Sequence, residues 1–558
     1  MERIWLKQYP EGIAAEIDLR EYTSLADLFR RSAERYADHV AFVSLGQELS
    51  YRNLDVLSKR MAAYLVKELG LYQGDRIALM IPNLLQYPVA VFAALRAGLT
   101  VVNIDPLCTQ RELRYQLKDS GCRCVVALED CARKLSNVVG DTDVETVILT
   151  QLADLLGIKR KTAVNFKHKW ISSRVPTYQL KKSVCFSKTL RKSKSLYADP
   201  IIQPEDLALI QYTSGTEGVP KGVMLSHRNL IANTMQSASW ASIDLRLGEE
   251  TVVSALPLCH IFGFAATLLF PIKIGARNLL IADGRDCEII VKLLEKYEFS
   301  MLVGVSTYFR ELVRTEGFEA LDFGELKLSL SGGMPVHPSV VKDWSQVTGT
   351  PIIECYGMTE TSPAVTINPL HILKYNGTVG LPLPSTEVSI RDLSGNELGI
   401  DTPGELWVKG PQVMEGYWRQ ADATRQVMDK EGWFRTGDVA VISELGYLKV
   451  IDRIRDIVNV SGFVVYPSEV ERLVLSLDSV KDAAVVAAPD DRSGEAVKLF
   501  VVPANPLEHD EEGILGFCRS KLSGYKCPKH IEFVERIPRL KSGRLLRREL
   551  RKTTYFGT

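Results

Sequence analysis

The chain has 558 residues, 46% of them apolar and 24% charged, with 68 basic against 68 acidic side chains. That length excludes a single small domain and leaves ample core, and the even charge balance gives no global attraction to nucleic acid. Ten cysteines in so long a chain are not a disulfide framework and point to a reducing, cytoplasmic setting. Residues 1–18 carry charges throughout and lack the apolar stretch of a signal peptide. Cys122, Cys124 and Cys131 have no histidine near them and read as buried thiols.

Apolar spacing predicts helices over 24–36 and 53–69, each followed by an apolar strand, at 40–44 and 76–80. A helix over 86–97 ends at Gly98, a C-cap candidate, and a strand follows at 100–103. This alternation predicts α/β layering with parallel strands. Residues 159–194 hold twelve Lys or Arg and no Asp or Glu, with Phe166, Trp170, Tyr178 and Phe186 interleaved. That composition suits a solvated loop insertion. It equally suits a basic, aromatic surface docking on anionic lipid, each cation contributing roughly 1 kcal/mol near the membrane. Base stacking uses similar residues, but nothing else in the chain supports nucleic acid.

An apolar strand at 207–210 leads into Tyr212-Thr213-Ser214-Gly215-Thr216-Glu217-Gly218-Val219-Pro220-Lys221-Gly222. Three glycines allow backbone N–H groups to approach an anion, Ser214 and Thr216 can donate to phosphate oxygens, and Lys221 supplies a cation. The common P-loop differs, since it needs Gly-Lys-Ser/Thr with four residues between its glycines. A strand at 221–225 follows, and Ser226 is a cap candidate for a helix over 228–240. Residues 251–272 carry no formal charge but contain Pro257, His260 and Pro271, so they read as a buried strand, a turn and a buried helix, not a membrane span.

Further strand–helix repeats lead to a strand at 326–330 that ends in Gly332 and Gly333. A glycine pair there lets a planar ligand lie against backbone, or is a plain turn. The strand at 351–354 delivers Tyr356-Gly357-Met358-Thr359-Glu360, an aromatic, a hydroxyl and a carboxylate suited to adenine, phosphate and Mg2+. Alternation at 387–392 and 405–409 predicts a small β-subdomain. Asp438, at the end of Trp433-Phe434-Arg435-Thr436-Gly437-Asp438, can accept two ribose hydroxyls, or the string is only a turn. Residues 457–558 read as a compact α+β unit, with a capping box at Ser468 and Glu471.

The loop at 212–222, the stretch Tyr356 to Glu360, the turn at Asp438 and the string Asp452-Arg453-Ile454-Arg455-Asp456 follow one another in an order that resembles the adenylate-forming enzymes. That superfamily contains acyl-CoA synthetases, luciferases and peptide-synthetase adenylation domains. Segments such as Pro82-Asn83-Leu84-Leu85-Gln86-Tyr87-Pro88, Gly410-Pro411-Gln412-Val413-Met414 and Ser461-Gly462-Phe463 look most like the bacterial long-chain fatty-acid–CoA ligases, and the likeness covers nearly the whole chain.

The resemblance implies an α/β fold: a large N-terminal adenylation domain with a small β-subdomain (1–454) and a small, hinged α+β C-terminal domain (455–558). It implies ATP-dependent conversion of a long- or medium-chain fatty acid to acyl-AMP and then to acyl-CoA, with ATP and CoA as co-substrates and Mg2+ as cofactor. Lys221, His260 and Arg544 are the implied catalytic residues. Thr213, Ser214, Gly215, Thr216, Gly218, Gly332, Gly333, Tyr356, Gly357, Thr359, Asp438, Arg453 and Gly462 are the implied nucleotide- and CoA-binding residues, and Thr216 and Glu360 the metal ligands. A cytoplasmic enzyme follows, with peripheral contact on the inner membrane face through 159–194 and a homodimer both left open. Arg544 stands where the family has lysine, and Glu217 where it has threonine. Those departures leave a second reading, a non-catalytic nucleotide- or acyl-binding paralogue.

Overall fold

The computed structural model describes all residues except 1, 158–163, 166–174, 176, 181, 192–196, 214–219, 373, 393, 540–544 and 556–558. The chain forms two compact units. The larger comprises Trp5–Glu387 and Lys409–Phe434, the smaller Met1–Ile4, Val388–Val408 and Arg435–Thr558. The position 454/455, expected as a domain boundary, falls within the smaller unit.

The larger unit is built on two sheets. The first has eight strands, in the order Gly416–Tyr417, Lys221–Ser226, Leu207–Thr213, Thr100–Asn103, Arg76–Met80, Cys124–Leu128, Thr146–Thr150 and Ser183–Cys185. From Leu207–Thr213 to Ser183–Cys185 all neighbours run parallel, and the two strands beyond Leu207–Thr213 are antiparallel. The second has nine strands, parallel through its middle from Val40–Ser44 to Ile352–Gly357 and antiparallel at both ends. The inner parallel strands are almost wholly buried, and Arg76–Met80, Cys124–Leu128 and Met301–Gly304 read as nearly unbroken apolar runs, as sheets covered on both faces do. The expected α/β layering is therefore what this sequence forms.

Local expectations hold in the larger unit. Gly98 adopts φ +69° just beyond the helix Gln86–Arg96. Ser226 caps the helix His227–Trp240, with Asn229 answering it in a capping box. The charge-free stretch after Thr251 forms a buried strand, a turn, and a helix from Ile261 to Ile274 whose middle, Ala265–Leu269, is wound as a π turn. Cys122, Cys124 and Cys131 are buried, and burial pushes the Cys122 and Cys131 thiols up to about 12.

The described end of the basic segment differs from its sequence reading. Its end forms the edge strand Ser183–Cys185 and a short helix, Phe186–Thr189, in which Phe186 is fully buried. The Tyr178 hydroxyl donates to Glu129 Oε1 at 3.1 Å, and its ring packs on the core. These two aromatics face the protein interior, where they recover more apolar burial than a surface gives. Phe166 and Trp170 lie outside the described residues.

The smaller unit carries a four-stranded sheet, Glu387–Arg391, Gly404–Lys409, Phe434–Ile442 and Leu448–Arg453, and a five-stranded one centred on Gly494–Pro503. The strand Val480–Asp490 shows why both faces of the second sheet are covered. Val485 packs with Val470, Val474 and Leu499, whereas Ala484 and Val486 pack with Phe500, Ile537 and Leu550.

The capping box expected at Ser468 is not formed. Pro467 opens the helix Pro467–Val474, Ser468 N–H donates to Asp452 Oδ2 at 2.8 Å, and Glu471 binds the Arg547 guanidinium at 2.7 and 2.8 Å. Long-range partners thus outcompete the local cap. Arg551, in the last helix, Arg547–Tyr555, donates to the Arg455 carbonyl at 2.9 Å and to Asp456 Oδ1 at 2.8 Å.

Candidate active site

Three hairpins carry most of the residues singled out by sequence. In the larger unit, Leu207–Thr213 and Lys221–Ser226 pair antiparallel with Thr213 opposite Lys221. The strands hold the two ends of the glycine-rich loop where the parallel sheet gives way to an antiparallel edge. Ser214, Gly215, Thr216, Glu217 and Gly218 lie outside the described residues. The flanks are held from several sides. Tyr115 Oη donates to the Pro220 carbonyl at 3.0 Å, Tyr212 Oη to Asp119 Oδ2 at 2.6 Å, and Trp418 N–H to the Gly222 carbonyl at 2.7 Å.

The second hairpin joins Ile352–Gly357 to Ala364–Ile367, so Tyr356 and Gly357 are the last residues of a strand longer than sequence predicts. A Cβ on Gly357 would lie 1.9 Å from the Pro363 carbonyl oxygen, so no other residue fits there. Thr359–Thr361 form one 3-10 turn, fixed by Met414 N–H donating to the Glu360 carbonyl at 2.9 Å. Glu360 is 9% exposed, and its Oε1 accepts from Tyr417 Oη at 2.9 Å. The ring of Tyr417 carries Lys221 Nζ at 4.9 Å from its centroid. Lys221 and Glu360, far apart in sequence, thus meet on one side chain.

The third hairpin lies in the smaller unit. Asp438 and Arg453 are register partners across Phe434–Ile442 and Leu448–Arg453, and Arg453 Nε stands 3.0 Å from Asp438 Oδ1. Asp438 is 3% exposed and its N–H donates to Thr436 Oγ1.

At the end of the strand Leu328–Ser331, Gly333 has φ +78°, a left-handed conformation that favours glycine. The loop after Gly332 and Gly333 is tied back by Val336 N–H donating to Glu354 Oε1 at 2.9 Å. Burial raises the Glu354 carboxyl to about 6, against the opposing pull of that N–H. Gly462 and Ser461, φ +86° and +53°, form the two-residue turn of the hairpin Val458–Val460 to Phe463–Val465. Phe463 and Tyr525 stack beside it, ring centroids 4.9 Å apart, both exposed.

His260 caps the helix that starts at Ile261 and is exposed at its rim. The protein packed around its ring lowers its pKa, and the Asp105 charge opposes this only in part. The same helix walls an apolar pocket of about 50 Å³, lined by Trp240, Phe262, Phe270, Val303 and Leu330 among others. The Trp240 indole N–H donates to the Asn368 carbonyl at 3.2 Å, which leaves its apolar ring for the cavity. Such a cavity suits an apolar chain, and its size admits only a few water-sized groups before the walls move.

The structure therefore joins Lys221 with Glu360 through Tyr417, places Tyr356 and Gly357 on the strand end and Thr359 in the turn that leads to Glu360, and pairs Asp438 with Arg453. Arg544 lies outside the described residues. Sequence reasoning missed Tyr417, since a Gly-Tyr-Trp string gives no sign of a distant carboxylate.

With this geometry in place, comparison with known proteins is informative. Residues 29–418 match the AMP-binding enzyme family and residues 469–544 the AMP-binding enzyme C-terminal domain. The chain belongs to the AMP-binding enzymes, and within them to the adenylate-forming acyl-CoA synthetases. It is 47% identical over 552 residues to a long-chain-fatty-acid–CoA ligase of Yersinia pestis, covering 99% of this chain and 98% of that protein. It is 44% identical over 556 residues to the ligase of the same name from Haemophilus influenzae, with the same coverage, 99% and 98%. Among solved structures, ATP-bound MatB from Rhodopseudomonas palustris aligns with a TM-score of 0.81 at 28% identity, covering 95% of this chain and 98% of that one.

Proposed function

We propose that this protein is an ATP-dependent long-chain fatty-acid–CoA ligase. The observation that carries the reading is the 47% identity, across nearly the entire chain, to a protein named for that activity. Full-length similarity of this kind leaves the non-catalytic reading without support.

The reaction has two halves. A fatty carboxylate oxygen attacks the α-phosphorus of ATP, forming acyl-AMP and releasing pyrophosphate. The CoA thiol, losing its proton, then attacks the acyl carbonyl, forming the thioester and releasing AMP. Adenylation replaces a poor leaving oxygen with a good one, and the protein contributes positioning and charge stabilisation. In this reading Lys221 and Arg544 face the phosphates and carboxylate, His260 lines the acyl entrance, and Asp438 with Arg453 holds the ribose. Tyr356, Gly332 and Gly333 pack on adenine, and residues 455–558 turn about Arg455 between the halves, bringing Gly462 toward CoA.

The donor set fits Mg2+. Among the described residues no group of three or more His, Cys, Asp or Glu gathers at one point. Mg2+ takes one or two carboxylates with substrate phosphates and does not need an all-protein cage. Glu360 is such a carboxylate, with Thr216 as its proposed companion. When bound, the ion neutralises phosphate charge and orients the triphosphate.

Among the described residues no helix is long and apolar enough to cross a membrane. Delivery of substrate from a bilayer is proposed to use the cations of 159–194, and co-sedimentation with anionic but not neutral vesicles tests it.

Fatty-acid-dependent ATP–pyrophosphate exchange tests the main reading, comparing the natural protein with Arg544→Lys. A measurable natural rate that rises with lysine is expected. Silence of both proteins with every medium- and long-chain acid would overturn the assignment.

A further inference from the structure

The apolar pocket that starts near His260 has a direction, and its two helical walls agree on it. The helix from Ile261 lines it from Phe262 to Phe270. A Cβ on Gly332 would lie 3.1 Å from Phe262 Cζ, so the first turn of that helix packs on the glycine pair. The helix His227–Trp240 lines the pocket from Asn233 to Trp240. Asn233 Nδ2 donates to the Ala364 carbonyl at 2.8 Å, and Ala364 pairs with Gly357. The Trp240 indole N–H reaches the Asn368 carbonyl, four residues further along that strand and its end. Trp240 therefore stands at the end of the pocket away from Gly332 and Gly357.

The indole is held there. It is 2% exposed, and from outside the pocket the Tyr9 ring packs edge-on against it, with centroids 5.1 Å apart. The Tyr9 hydroxyl donates to the Pro382 carbonyl, which tethers that backing ring.

The walls also have a length. Asn233 to Trp240 is about 10 Å of helix, and Ala364 to Asn368 is about 13 Å of extended chain. A zigzag of carbon–carbon bonds near 1.5 Å and 111° advances about 1.25 Å per bond. Roughly 8–10 carbons therefore lie straight between the glycines and the indole. A longer chain has to bend at Trp240 or displace it.

We propose that Trp240 determines acyl chain length: its indole ends the straight run of the pocket, so acids beyond about ten carbons bind only with a bend or a displaced ring. The proposal rests on the reading of this pocket as the acyl site.

Fatty-acid-dependent ATP–pyrophosphate exchange with hexanoate, decanoate and myristate tests it, read as kcat/KM for each acid. Trp240→Ala is expected to raise the myristate-to-decanoate ratio about 10-fold or more, while hexanoate, too short to reach the indole, stays within about twofold. Trp240→Phe, a more conservative plug that keeps an aromatic ring in the fold, is expected to move the ratio the same way by about threefold. The proposal fails if both variants keep the natural ratio. It fails equally if all three acids lose rate by one common factor, the signature of a tryptophan that serves only the fold. Silence of the natural protein with every acid would sink the ligase reading instead. Calorimetric binding of decanoate and myristate to the same proteins then still decides: a shifted affinity ratio upholds the role of Trp240, and an unchanged one overturns it.

Discussion

In the larger unit, Lys221 and Glu360 bear opposite charges and both meet Tyr417; in the smaller, Asp438 and Arg453 meet each other at 3.0 Å. The first arrangement gives two opposite charges one shared neighbour. The second satisfies a nearly buried carboxylate within the protein through the Arg453 guanidinium. A third case stands beside these. Glu354, buried and bound to the Val336 N–H, is held by a raised pKa, not by a cation. Charge in this chain is thus managed by a shared neighbour, by pairing or by a raised pKa, and each mode has its own response to mutation.

The largest effect is expected at Lys221. Lys221→Ala should lower fatty-acid-dependent exchange by roughly 100- to 1,000-fold, as loss of one transition-state contact does. Its chemical stability should stay within about 1 kcal/mol of the natural protein, because among the described residues Lys221 meets the Tyr417 ring and no paired carboxylate. A large drop in the urea midpoint would show that Lys221 is paired after all, and the contrast with Arg453 would dissolve.

Arg453→Ala should behave in the opposite sense. It leaves the Asp438 carboxylate buried without its cation and should cost about 1–3 kcal/mol of stability, less than a fully buried pair would because Arg453 is 35% exposed. Asp438→Asn combined with Arg453→Ala should recover most of that stability while ATP affinity stays low. Recovery of both would mean the pair serves the fold alone.

Glu354 gives the smallest effect and the only one set by pH. Its carboxyl titrates near 6 in the folded protein, above the ordinary value of 4.5. The folded state therefore holds the proton more tightly, and this stabilisation is complete below about pH 4.5 and lost as pH rises through 6. Glu354→Gln removes the charge but keeps an acceptor for the Val336 N–H. Relative to that variant, the natural protein should lose up to about 2 kcal/mol between pH 4.5 and 7. Parallel urea midpoints across that range would rule the raised pKa out.

How much of this was legible beforehand depended on how local the cause is. The alternation of apolar strands and amphipathic helices announced the parallel sheets, because a strand buried on both faces is rich in apolar residues. Lys221, Glu360, Asp438 and Arg453 stand out as candidates because each sits in a short string with a recognisable pattern. Their partners were not. Glu471 looked like half of a capping box, yet Arg547, 76 residues on, takes it. Tyr178 and Phe186 looked like surface aromatics among cations, yet the core edge claims both. Tyr417 offered no local sign, since what matters is the carboxylate its hydroxyl reaches across 57 residues.

The hairpin that brackets the glycine-rich loop has a thermodynamic consequence. Its rungs run from Leu207 opposite Ser226 to Thr213 opposite Lys221, so the loop's two ends are already joined before any nucleotide arrives. The entropy of closing that loop is therefore lost during folding and not charged against binding. The same rungs set parity. Side chains alternate faces along a strand, so inserting one residue between Gly222 and Ser226 would force a choice between slipped rungs and a turned Lys221. Length changes there should be far less tolerated than substitutions.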